Sequence, residues 1–81
     1  MPKYYLVVSS VTTAQRLQKL CQKQGLSLSV VHTPQDLSQK GCSYSLIVSE
    51  RDYKKVNDLS ETNRIPIRDR FLYRDGSYQN I

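Results

Sequence analysis

Two runs of alternating side chains, Leu26-Ser27-Leu28-Ser29-Val30-Val31-His32 and Cys42-Ser43-Tyr44-Ser45-Leu46-Ile47-Val48, are joined by the stretch Thr33 to Gly41. The period of two marks strands buried on one face, with Leu26, Leu28, Val30 and His32 on one side of the first and Cys42, Tyr44, Leu46 and Val48 on one side of the second. A parallel return needs a crossover of about a dozen residues or more, and this connection is a poor one. The two runs therefore read as an antiparallel hairpin, with a small open α/β sheet as the alternative.

The connection has its own local signals. Thr33 has the character of an N-cap, Pro34 suits the first helical position, and Asp36 follows the cap at capping-box spacing, which predicts one or two turns of helix. Gly41 can take the left-handed conformation that ends such a turn. Cys42 then stands where the chain re-enters extended structure.

On either side lie a strand and a helix. Tyr4 to Ser9 is a β-type run apolar on both faces, as expected of a central strand. Ser10, Thr12 and Thr13 are alternative N-caps for a helix over about 12–24, whose apolar stripe is Val11, Ala14, Leu17, Leu20 and Cys21 and whose stop is Gly25. After the hairpin, Ser49 with Asp52 at capping-box spacing predicts a second helix with a thin stripe of Tyr53, Val56 and Leu59, ending within 60–63. Ile65-Pro66-Ile67 opens a last strand at an edge. Asp75-Gly76 is a two-residue turn signal, after which Ser77 to Ile81 either folds back as a short extra strand or frays.

The order strand, helix, strand, strand, helix, strand predicts an α+β fold. It fits a ferredoxin-like βαββαβ sandwich, an antiparallel four-stranded sheet with two helices on one face. With 81 residues there is room for one domain, spanning 1–81, with a core over about 4–73 and a turn and tail over 74–81. An apolar fraction of 38% and no tryptophan make stability modest unless the chain self-associates, so a homodimer is an expected partner state. The net charge of +5 is scattered, giving a weak attraction to polyanions without building a groove. The first apolar run is too short for a signal-peptide core or a spanning helix, which predicts a cytoplasmic protein away from membranes.

Two cysteines are too few for the disulfide framework of a small secreted domain, so both read as thiols. If the hairpin forms, His32 and Cys42 meet at one sheet end on the helix-covered side. There an imidazole could take the thiol's proton. Lys40 would add positive charge, while the carboxyl end of the preceding helical turn would oppose it. The plainer reading makes Cys42 a small apolar plug at the end of the core and His32 a half-exposed strand terminus. Cys21, on the helical stripe, reads as core.

No C-x-x-C pair prepares a metal site, and no nucleophile elbow, phosphate loop or paired carboxylates appear, so neither metal nor cofactor is expected. Tyr4, Tyr5 and Tyr44 read as sheet-packing residues ahead of base-stacking ones. Arg68, Arg70 and Arg74 are the best basic patch for a nucleic acid.

The residues Tyr4-Tyr5-Leu6-Val7-Val8, Thr12 with Ala14 and the helix ending at Gly25, and Val30-Val31-His32-Thr33-Pro34 through Leu37-Ser38, followed closely by a cysteine, carry a resemblance. Over roughly 4–59 the chain resembles the small bacterial selenium/sulfur carrier-like family. The resemblance implies that Cys42 is a carrier thiol; the hairpin reading adds His32 as its catalytic helper and Thr33, Pro34, Lys40 and Gly41 as the binding residues beside it. It also implies a non-enzymatic carrier served by a sulfur or selenium donor enzyme and an acceptor. In that family the cysteine usually precedes a glycine; here Gly41 stands before it and Ser43 after it. Size, basicity and topology are also similar to the small ferredoxin-like subunits of CRISPR adaptation complexes. Those carry an acidic residue after the first strand, where this chain has Ser9 and Ser10. The alternative to a carrier is accordingly a small basic binding or regulatory module for a protein or nucleic-acid partner, without metal-dependent nuclease chemistry.

Overall fold

A computed structural model describes residues 2–33 and 43–81. Its elements in chain order are β1 (Lys3–Val8), α1 (Val11–Lys23), β2 (Ser29–His32), β3 (Tyr44–Ser49), α2 (Tyr53–Thr62), β4 (Asp69–Arg74) and β5 (Ser77–Asn80). The strands form one antiparallel sheet in the order β2-β3-β1-β4-β5. The sheet thus has five strands, where the pattern predicts four and leaves the tail open. The fifth exists because Asp75 and Gly76 both adopt positive φ, 53° and 80°. Such a two-residue turn matches the twist of the strands it joins, and it seats Tyr78 opposite Tyr73 and Ser77 opposite Arg74.

Side-chain alternation divides the sheet into two unlike faces. Leu6 and Val8 of β1 and Leu46 and Val48 of β3 share one face and are fully buried beneath Ala14, Leu17 and Cys21 of α1 and Val56 of α2. Tyr4 belongs to this face too, its ring stacked on Tyr53 of α2 at 3.8 Å between centroids. Tyr5, Ile47, Phe71, Tyr73 and Tyr78 occupy the opposite face, where no described helix packs.

Both helices end in the same way. Past α1, the Leu26 N–H donates to the Cys21 carbonyl at 2.9 Å and the Gly25 N–H to that of Gln22 at 3.0 Å. Past α2, the Ile65 N–H donates to Ser60 at 2.8 Å and the Arg64 N–H to Glu61 at 3.2 Å. This paired pattern satisfies the last carbonyls and turns a buried aliphatic residue, Leu26 or Ile65, back into the core. Gly25 takes the required positive φ (79°) without strain, whereas Arg64 takes it (φ 55°) against the steric preference of an L-residue.

Three boundaries differ from the sequence pattern, each for a local reason. The strand expected from Leu26 begins at Ser29, because the Leu28 carbonyl accepts from Gln18 Nε2 of α1 at 2.8 Å and not from the sheet. The second helix begins at Tyr53 and not at Ser49. Ser49 closes β3, and its hydroxyl donates to the Asp52 carboxylate at 3.2 Å. The strand expected from Ile65 begins at Asp69, since residues 64–65 complete the helix end and the ladder to β1 resumes only where the Arg68 N–H meets the Val7 carbonyl at 2.8 Å. Ser10 is the cap that α1 uses, its hydroxyl accepting the Thr13 N–H at 3.2 Å.

Candidate functional site

The sheet end at which β2 finishes and β3 begins is built from the register His32 opposite Tyr44 and Val31 opposite Ser45. One step further out, the Thr33 N–H donates to the Ser43 carbonyl at 3.0 Å. This extends the hairpin ladder to both residues that flank the connection. Alternation puts His32 on the helix side with Tyr44, as the period of two predicts. Its ring lies 4.7 Å from that of Tyr44, centroid to centroid, tilted by 35°. The imidazole is exposed, so it is free to meet a solution partner while the tyrosine limits its orientation.

The odd positions of the hairpin do something the alternation does not announce. Small hydroxyl residues on the second face of a strand read as solvent-facing, yet Ser45 is fully buried and Ser43 and Thr33 are nearly so. Thr33 Oγ1 and Ser45 Oγ lie 2.8 Å apart, a buried pair in which each satisfies the other. Ser45 and Tyr44 are thus the positioning residues that sequence reasoning passes over. The available signal was the run of serines at alternate positions beside a threonine, which suits cross-strand hydroxyl bonding.

Pro34, Lys40, Gly41 and Cys42, along with the short capped helix expected after Thr33, lie outside the described residues. Cys21 lies within them and is fully buried in the core. Burial pushes its thiol pKa up, and the Asp52 carboxylate adds to the rise. Both effects disfavour the thiolate, the form that attacks electrophiles and binds metals. Among the described residues no three His, Cys, Asp or Glu side chains gather where they could hold a metal ion, and no helix is long and apolar enough to cross a membrane.

The arginines singled out as a basic patch do not join the aromatic face. Arg70 and Arg74 point to the helix side of β4, and Arg70 Nε donates to Asn57 Oδ1 of α2 at 3.0 Å. Among the described residues, Arg70 and Arg74 therefore do not bring phosphate attraction to the face that carries Tyr5, Tyr73 and Tyr78, as single-strand binders combine charge with stacking.

A family model described as Putative Se/S carrier protein-like matches residues 3–71. No curated protein and no solved structure matches the chain. The matched span runs from the first residue of β1 into β4 and includes both helices and the whole hairpin. The chain therefore belongs to the Putative Se/S carrier protein-like family.

Proposed function

We propose that the protein carries sulfur or selenium on Cys42, working between a donor enzyme and an acceptor in the cytoplasm and catalysing no reaction of its own. The order β2-β3-β1-β4, with both helices on one face, supports a ferredoxin-like βαββαβ domain to which β5 is added. The observation that carries the functional reading is the burial of the other thiol. Cys21 has no exposure and a pKa shifted against ionisation, which leaves Cys42 as the chain's thiol for transfer.

In the transfer step the Cys42 thiolate attacks the outer sulfur of a donor persulfide. A new S–S bond forms to Cys42, the donor's own S–S bond breaks, and the donor leaves as a thiolate, so nothing is oxidised or reduced overall. Transfer to the acceptor repeats the exchange in the opposite sense, and a perselenide follows the same course. His32, exposed at the hairpin end, accepts the Cys42 proton, and Lys40 favours the anion. Thr33, Pro34 and Gly41 are the binding residues of this reading, and the Thr33–Ser45 hydroxyl pair holds the Thr33 end of the hairpin in register.

The test is loading of the reduced full chain with a small-molecule persulfide, read by intact mass and peptide mapping. The reading requires one added sulfur on Cys42, its loss in Cys42→Ser, its retention in Cys21→Ser, and loading slowed about 10-fold in His32→Ala. Sulfur on Cys21, or on neither cysteine, overturns it.

A further inference from the structure

Both helices cover the same face of the sheet, yet they carry their charge differently. The chain has twelve Lys and Arg and seven Asp and Glu, and every acid falls at Asp36 or later. Helix α1 therefore has no acidic residue, and Arg16, Lys19 and Lys23 stand on it at i, i+3 and i+7, a stripe about 10 Å long. All three are exposed. On α2, by contrast, Lys54 and Lys55 share the helix with Asp58 and Glu61, so its charges balance.

Among the described residues no carboxylate pairs with the α1 stripe. The acid that acts on this helix is Asp52, which helps to raise the Cys21 pKa, and it is already engaged by Arg51 at 3.7 Å and by the Ser49 hydroxyl at 3.2 Å. The helix beneath the stripe is firmly held. Gln18 Nε2 donates to the Leu28 carbonyl at 2.8 Å, and Ala14, Leu17 and Cys21 are fully buried.

The surroundings of the stripe decide what it fits. A helix that lies on a membrane sets large apolar residues opposite its cations for burial in lipid, whereas those of α1 are taken up by the core and Val11 is the one left exposed, at 38%. A single-stranded nucleic acid is held by cations and aromatic rings together, and α1 contains no aromatic residue. The stripe is flanked instead by the exposed amides of Gln15 and Gln22. An amide both donates and accepts hydrogen bonds. A protein surface meets both needs beside its carboxylates, while a phosphate backbone offers acceptors alone.

We propose that the outer face of α1 is a docking surface for the acidic surface of a partner protein, gripped by Arg16, Lys19 and Lys23. The helix is capped by Ser10, two residues past Val8, and Val8 lies opposite Tyr44, which in turn lies opposite His32. The N-terminal end of α1 thus shares the sheet end with His32, and Arg16 is about 9 Å along the helix from it. A protein lying along α1 reaches the sheet end to which the carrier reading assigns its chemistry. That this partner is the sulfur donor or acceptor rests on that reading; the dock itself does not. One helix face is far smaller than the roughly 800 Å² per partner of a standard interface, so binding is weak and sensitive to salt.

Titration of the isotope-labelled full chain with a synthetic Glu-rich peptide, followed by amide NMR at about 20 mM salt, tests the dock. The amides of α1 are expected to shift and to saturate at about 0.1–1 mM peptide, and about 200 mM salt should weaken binding about 10-fold. Two variants matched in net charge locate the site. Arg16→Gln/Lys19→Gln should weaken binding at least about 5-fold, whereas Lys54→Gln/Lys55→Gln should change it less than about 2-fold, with each fold checked by circular dichroism. Absence of saturable binding, shifts centred away from α1, or equal losses in the two variants would overturn the proposal. So would tighter binding of a single-stranded oligonucleotide or of anionic vesicles through Arg16 and Lys19. Persulfide loading of Cys42 in Arg16→Gln/Lys19→Gln separates the two readings. A small-molecule donor needs no dock and should still load, so loading absent from wild type and variant alike counts against the carrier and not against the dock.

Discussion

Leu46 and Ser45 are neighbours on β3, and they show how differently the two faces of the sheet are used. Leu46 lies under both helices in an aliphatic core with Leu6, Val8 and Val48. Ser45, equally buried, points to the other side and is held by one hydroxyl contact with Thr33. Burial on the first face stabilises through area and packing, without direction. On the second it is tolerated only because a partner with the correct geometry is present, so it specifies register at the hairpin end. The helix-covered face thus supplies stability, and the opposite face supplies positioning at the hairpin end.

Substitutions along this divide should separate the two kinds of burial. The largest effect is expected from Leu46→Ala, which opens a cavity beneath α1 and α2 and should cost about 2–5 kcal/mol in urea unfolding. Ser45→Ala removes far less volume but leaves the Thr33 hydroxyl buried without its partner, a cost of about 1–3 kcal/mol. The distinguishing result is the double variant Thr33→Val/Ser45→Ala. If hydroxyl pairing is what matters, the pair of changes should cost clearly less than the sum of the single ones. Additive costs would mean that Ser45 is buried for packing alone.

Two smaller effects refine the view of the covered layer. Arg64→Gly should stabilise the chain by about 0.5–1 kcal/mol, since it gives the end of α2 the residue that already ends α1 at Gly25, after allowance for the freer unfolded backbone. The smallest is a pH slope from Cys21. Its folded pKa is raised, so the folded state holds the thiol proton more tightly than the unfolded chain does. This contribution is fully present below the unfolded thiol's range and is lost as pH climbs from about 8.5 through the folded pKa. Denaturant midpoints should therefore fall above about pH 8.5, and the slope should flatten in Cys21→Ser.

Much of the covered face was legible in the sequence, because hydrophobic periodicity reports burial of area. The stripe Ala14, Leu17 and Cys21 and the alternation Tyr44, Leu46 and Val48 each land where their spacing sends them. Boundaries were less legible, since Leu28 and Arg68 are each decided by one tertiary hydrogen bond that no local pattern encodes, and at Ser49 the capping-box spacing is taken up by a hydroxyl–carboxylate contact to Asp52 ahead of the helix. The face opposite the helices was hardest to read. Tyr5, Tyr73 and Tyr78 come from three strands, and only the order β1-β4-β5 brings their rings together. At the site, the placement of His32 on the helix side followed from counting by two, whereas the burial of Thr33 and Ser45 depends on a pairing of two strands that serine-rich alternation leaves open.

The central claim is that the chain holds one inert thiol and one reactive one, and that the reactive one is Cys42. Alkylation by iodoacetamide across a pH series, with each cysteine quantified by mass, tests it most directly. The account predicts that Cys42 reacts faster than a free thiol of pKa about 8.5 and with its transition at lower pH, while Cys21 stays protected until the fold opens. Cys42 reacting no faster than a free thiol, or as slowly as Cys21, would contradict it.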